Sequence, residues 1–176
     1  TKHMINKKTI SQMKKGTITP ENIKIEYNLE SLQRPYYTVQ FADTIKRYFD
    51  TYFGSSVKVT SDLNSPANVV TNGYNLATFF KETLKLDRGN HLLNIHIEEI
   101  MGFEMKITVS AEGGLTFGPD DEEILRAIAK ESRFDFNIEN GKITLIQKLE
   151  VMTSITLNAT YQTSPLFDDF IRAFAN

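Results

Sequence analysis

The apolar period of this chain switches repeatedly between that of a helix and that of a strand. Phe41, Ile45, Tyr48, Phe49 and Tyr52 recur at i, i+4, i+7, i+8 and i+11. That spacing predicts one face of an amphipathic helix, opening after Pro35 and stopping at Gly54. Val57 and Val59 alternate as a strand, Asn64-Ser65-Pro66 reads as a turn, and Val69-Val70 marks another very short strand. Asn72-Gly73 breaks the chain. A second helix follows, with Leu76, Phe79, Phe80, Thr83 and Leu84 on one side, closed by Asp87-Arg88-Gly89-Asn90.

The strongest hairpin signal is Leu93, Ile95 and Ile97 against Phe103, Met105, Ile107 and Val109, across a turn at Met101-Gly102. Gly113-Gly114 and Gly118-Pro119 bracket a short loop. Asp120 to Glu123 then opens a helix, since acids favour its positive N-terminal end, with Ile124, Leu125, Ile128 and Ala129 on its apolar face. Phe134, Phe136 and Ile138 alternate up to Asn140-Gly141, a strong two-residue hairpin signal, and Ile143 and Leu145 form the return strand. Ile155, Leu157, Ala159 and Tyr161 predict a last strand. Phe167, Phe170, Ile171 and Phe174 predict a closing helix. Ahead of all these, Ile23 to Tyr27 alternates as a short strand.

Strands grouped in hairpins, and helices apolar on one side only, predict an α+β domain: a mostly antiparallel sheet with helices packed on one face. Residues 1–20 read as a remnant of cloning (Thr1 to His3) and a basic lead-in carrying Lys7, Lys8, Lys14 and Lys15. Residues 21–176 read as one domain with its C-terminal helix. If Met4 is an engineered start, the chain is a fragment of a longer protein.

The net charge of −2 gives no global attraction for nucleic acid, and four lysines without an aromatic platform predict a flexible tail, not a nucleic-acid site. The absence of cysteine removes disulfides, thiolate metal sites and cysteine nucleophiles, and fits a reducing, cytoplasmic setting. No apolar run approaches the roughly 20 residues of a membrane span.

Candidate chemistry is sparse. His91 and His96 are five apart on a strand, so they face opposite ways and cannot share a metal. There is no phosphate-loop or nucleophile-elbow motif. Gly113-Gly114 after a strand is open to two readings: backbone N–H groups near an anion, or a turn that needs positive φ. Asp120 to Glu123, and Asp168 and Asp169, read as solvated helix acids.

The order of elements from Ile45 to Tyr161 resembles the GHKL superfamily, which includes sensor histidine kinases, gyrase-type topoisomerases and Hsp90-type chaperones. The paired short strands at Val57 to Val59 and Val69-Val70 are similar to those before the family's first conserved helix. Leu76 to Leu86 sits where its N box helix falls. Ile107 to Gly114, reading ITVSAEGG, resembles the G1 box, and Ile124 to Ile143 the helix, turn and strand after the ATP lid. Met152-Thr153 through Leu157 resembles the family's final strand, and Ser11 to Ile18 the exit of its dimerisation helix. The resemblance implies a two-layer sandwich, ATP and Mg²⁺ as ligands, and a role in two-component signalling.

The departures fall on the family's nucleotide contacts. The N box asparagine that holds Mg²⁺ matches Leu86, or Lys85 if the register slips by one; the acid one turn earlier matches Glu82. The G1 aspartate, which accepts from the adenine amine, matches Ala111. Glu112 is a substitute only under a one-residue shift, which turns the side chain to the other face. Gly113 matches the first G1 glycine and Leu115 the second, and the lid between Leu115 and Asp121 is very short. Loss of the acceptor for the adenine amine costs about 1–3 kcal/mol with its unpaired penalty, and a lost metal ligand leaves the triphosphate charge less neutralised.

The leading expectation is therefore a degenerate ATPase-like domain with no cofactor and no metal, acting on a protein partner: a response regulator, a kinase or a second copy of itself. The alternative is an active kinase domain, with Glu82 as base and Glu112, Gly113 and Gly114 at the nucleotide. A third reading is an unrelated α+β binding module.

Overall fold

The computed structural model describes residues 33–65, 67–87, 92–101, 103–151 and 164–176. The expected strands at 23–27 and 155–161, the segments 11–18 and 152–157, and His91 lie outside the described residues.

Among the described residues, thirteen elements follow in chain order. Strand β1 (Arg34–Tyr37) leads directly into α1 (Thr38–Tyr52), and a short 3-10 turn (Gly54–Ser56) connects to β2 (Val57–Asp62). Then come β3 (Ala67–Thr71), α2 (Gly73–Leu84), β4 (Leu93–Ile100) and β5 (Glu104–Ala111). The remainder is α3 (Asp121–Glu131), β6 (Asp135–Glu139), β7 (Lys142–Lys148), β8 (Glu150–Val151) and α4 (Ser164–Ala175).

Five strands form one mixed sheet in the order β2-β4-β5-β7-β6, in which only β2 and β4 run parallel. Antiparallel neighbours arise from the two expected hairpins. Asn140 (φ 53) and Gly141 (φ 75) both take the left-handed conformation that a tight two-residue turn requires. Alternation sorts the faces: Val57, Val59, Ile95, Ile97, Ile107 and Val109 are buried under the helices. Thr60, His96, Thr108, Thr144 and Asn137 line up across the other face in register, and Thr60 Oγ1 meets His96 Nδ1 at 2.7 Å. The expected α+β class, a mostly antiparallel sheet with helices on one face, is what the chain adopts.

The apolar pattern does not predict the second, three-stranded sheet, β1-β3-β8. Pro35, which has no N–H, is tolerated because β1 is an edge strand. The two short strands expected as a pair, β2 and β3, therefore belong to different sheets. Gln147 on β7 sews the sheets together: its Oε1 accepts from Val70 N at 2.7 Å, and its Nε2 donates to Val70 O and Arg133 O, both at 2.8 Å. A side-chain amide here imitates the rung that a longer β8 would have supplied.

The expectation that α2 is apolar on one side only also needs correction. Every residue from Gly73 to Thr83 is buried, because α4 packs on the side away from the sheet. Leu166, Phe170 and Ala173 are buried in that contact. Phe170 sits between Tyr48 (ring centroids 5.3 Å apart), Phe49 (6.0 Å) and Phe80 (6.1 Å). The phenylalanines of α4 thus serve the chain's own core. Three residues placed by their periods on apolar faces are exposed: Tyr52 of α1 (56%), Phe103, which precedes β5 (52%), and Ile171 of α4 (39%).

Candidate functional site

The site matched by the sequence lies where the end of α2 meets the loop after β5. Helix α2 starts with its own cap, since Asn72 Oδ1 accepts from Asn75 N at 3.1 Å. Its end is tight: Lys85 N donates to Glu82 O (3.2 Å) and Leu86 N to Thr83 O (3.0 Å), three-residue closures typical of a last turn. Glu82, on that turn, keeps only 3% of its side chain exposed and is paired with Lys85 Nζ at 2.7 Å. Leu86 is buried, at 2% exposure.

At the other wall, Ala111 is the last residue of β5 and stands opposite Leu93. Glu112, Gly113 and Gly114 follow as an exposed turn. Two of its amides are engaged: Glu112 N donates to Leu92 O (3.1 Å) and Gly114 N to Ala111 O (2.9 Å). Gly114 has φ +84, so the turn reading accounts for it without an anion. Leu115 and Phe117 pack against the core. Between them, Thr116 N donates to Leu86 O at 3.0 Å, fastening this loop to the end of α2. The loop then enters α3 through Asp121, whose Oδ2 accepts from Gly118 N at 2.6 Å. Asp121 is buried, so the acidic run is not wholly solvated as expected.

The fold therefore brings Leu86 to the loop carrying Leu115 and Thr116, with Glu82 one turn back. Glu112 points to no other matched residue by any hydrogen bond among the described residues. Among the described residues, two surface grooves of about 410 and 670 Å³ run along α1 and along α1 and β2, and none of Glu82, Leu86, Glu112, Gly113 or Gly114 lines either. Among the described residues, no three His, Cys, Asp or Glu side chains gather closely enough to hold a metal. No described helix is long and apolar enough to cross a membrane.

Other charged contacts were not foreseen. Asp169, expected on a solvated face, is folded against Gly73, where an added Cβ would lie 2.7 Å from its Oδ2. Burial is the main cause that holds its carboxyl above the usual range, while Arg172 pulls the other way. Lys81 Nζ donates to the carbonyls of Ala173 (2.9 Å) and Asn176, closing the end of α4. The only sequence signal for either was a charge on an apolar helix. Glu99 shows the opposite shift from Asp169: Ser65, donating from its Oγ (2.6 Å) and its N (2.9 Å), lowers the carboxyl below its ordinary value.

No family model matches the sequence, and no curated protein matches it. Solved structures resemble the chain in part, and several of them are histidine kinases. The Acinetobacter baumannii histidine kinase AdeS aligns at a TM-score of 0.46 and 12% identity, over 83% of this chain and 75% of that one. A mycobacterial sensor histidine kinase, MprB, aligns at 0.43 and 10% identity, over 69% of this chain and 100% of that one. A histidine kinase from Burkholderia phymatum STM815 aligns at 0.42 and 10% identity, over 82% and 87%.

Proposed function

We propose that this chain is a histidine-kinase-type, ATPase-like domain with a degenerate nucleotide site, acting in regulation through protein contacts. The observation that carries the reading is at the end of α2. Leu86, at the position of the family's metal-holding asparagine, is buried, and its carbonyl is bonded to Thr116 at 3.0 Å. The segment that stands in for a lid is thereby folded down, with Leu115 and Phe117 on the core.

These residues do not fit a magnesium nucleotide. Leu86 has no side-chain oxygen for the metal, Ala111 has no acceptor for an amine, and Lys85 is paired with Glu82. No phosphoryl chemistry is assigned to them. The partner in this reading is a response regulator, a kinase or a second copy of the chain, and the setting is cytoplasmic.

One observation favours the alternative of a divergent, active domain: Glu82 keeps a carboxylate at the family's acid position, one turn from the loop. Thermal unfolding with Mg-ATP and Mg-ADP separates the two readings. A ligand at a hundredfold its Kd adds about 2.7 kcal/mol of stability. For a chain of this size that is a rise of roughly 5–11 °C. The degenerate reading expects no rise at millimolar nucleotide; such a rise would replace it with the active one.

A further inference from the structure

The five-stranded sheet ends differently at its two edges. At β6, Arg126 Nη1 donates to the Phe136 carbonyl at 3.1 Å, and its guanidinium lies 5.0 Å from the Phe136 ring centroid. A side chain thus occupies that edge. At β2, no described side chain hydrogen-bonds to the outer backbone, and the groove of about 670 Å³ runs between the strand and α1. An open strand edge is a template for pairing unless something blocks it.

We propose that two copies of this chain associate through antiparallel pairing of β2 with β2, joining their sheets edge to edge. A two-fold axis normal to the sheet leaves every side chain on its own face, so only residues of like parity can stand opposite each other. Lys58, Thr60 and Asp62 occupy the open face of β2 and are all exposed. Centred on Thr60, the register sets Lys58 of each copy opposite Asp62 of the other. One contact therefore gives two unlike-charge cross-strand pairs.

The two charges are available for it. Lys58 makes no ion pair among the described residues. Asp62 receives only the Asn64 amide, at 3.5 Å. The groove gives the second copy room on the helix side. Its α1 wall offers both signs, Asp43 and Asp50 with Lys46 between them, so a like wall can approach it. This surface does not depend on the nucleotide reading.

Sedimentation equilibrium of the full chain over a wide micromolar range tests the proposal, with circular dichroism confirming that each variant is folded. The wild type is expected to dimerise. Lys58→Asp and Asp62→Lys each turn two attractive pairs into two repulsive ones and should weaken the dimer on the order of tenfold. The double variant, which restores the pairs with signs reversed, should recover it. A wild type that stays monomeric, single variants that dimerise as the wild type does, or a double variant that fails to recover would each overturn the pairing.

Discussion

Replacing Phe170 by alanine should cost this domain more than any surface change could, although the residue lies in a C-terminal helix beyond the last described strand. The ring is fully buried. It meets Tyr48 edge-on at 5.3 Å and Phe49 at 6.0 Å from α1, Phe80 at 6.1 Å from α2, and Phe174 at 6.4 Å on its own helix. Its removal would leave a hole where three helices meet. A buried Phe→Ala change costs about 3–5 kcal/mol, the lost transfer energy plus the cavity. For a chain of 176 residues, each kcal/mol moves Tm by roughly 2–4 °C, so a fall of about 6–20 °C is expected. Thermal melts by circular dichroism, with urea midpoints alongside, measure it. Ile171→Ala, on the exposed side of the same helix, is the control and should move Tm by less than about 3 °C. Equal shifts for the two variants would refute the docking of α4 on α2 and the inclusion of this helix in the domain.

Other substitutions probe the joints. Gln147→Leu removes the side chain that pairs with both Val70 N and Val70 O; a loss of about 1–3 kcal/mol in urea unfolding is expected, and an unchanged midpoint would mean that the two sheets do not depend on it. Asn68 is fully buried and neither atom of its side-chain amide has a partner among the described residues, so Asn68→Leu should stabilise by about 1 kcal/mol or more; a lower Tm would contradict that. Burial holds Asp169 above its ordinary value of 3.8, so folding takes up a proton between 3.8 and the raised value. Stability from this group therefore falls as pH rises through that window and is least above it. In Asp169→Asn the decline should flatten, and superimposable pH profiles for variant and wild type would rule the assignment out.

How much of this was legible in the sequence depended on whether a feature was local. The hairpins at Met101 and Asn140-Gly141, and the period of α1 from Phe41 to Phe49, involve neighbours in sequence, and the structure has them. The small sheet did not: β1 is four residues long and contains a proline, β8 is two residues long, and the contact between β3 and Gln147 spans 77 positions. The burial of α2 on all sides was likewise hidden. A covering helix some 90 residues later leaves no mark on the local period except unusual apolarity, and Lys81 and Glu82, both buried, masked even that. At the candidate site, Glu82, Leu86 (or Lys85) and Ala111 are matches made by counting along the resemblance. That Thr116 is bonded to Leu86 could not be reached in this way, because a backbone hydrogen bond between a loop and a helix end has no residue signature.

We propose that the junction of α2 with the Leu115–Phe117 loop does not accept a nucleotide. Calorimetric titration of the purified chain with Mg-ATP and Mg-ADP measures it directly. No saturable heat is expected at millimolar nucleotide for the wild type. Saturable binding that is lost in Glu82→Ala or Gly113→Val would contradict it and make this a working nucleotide-binding domain.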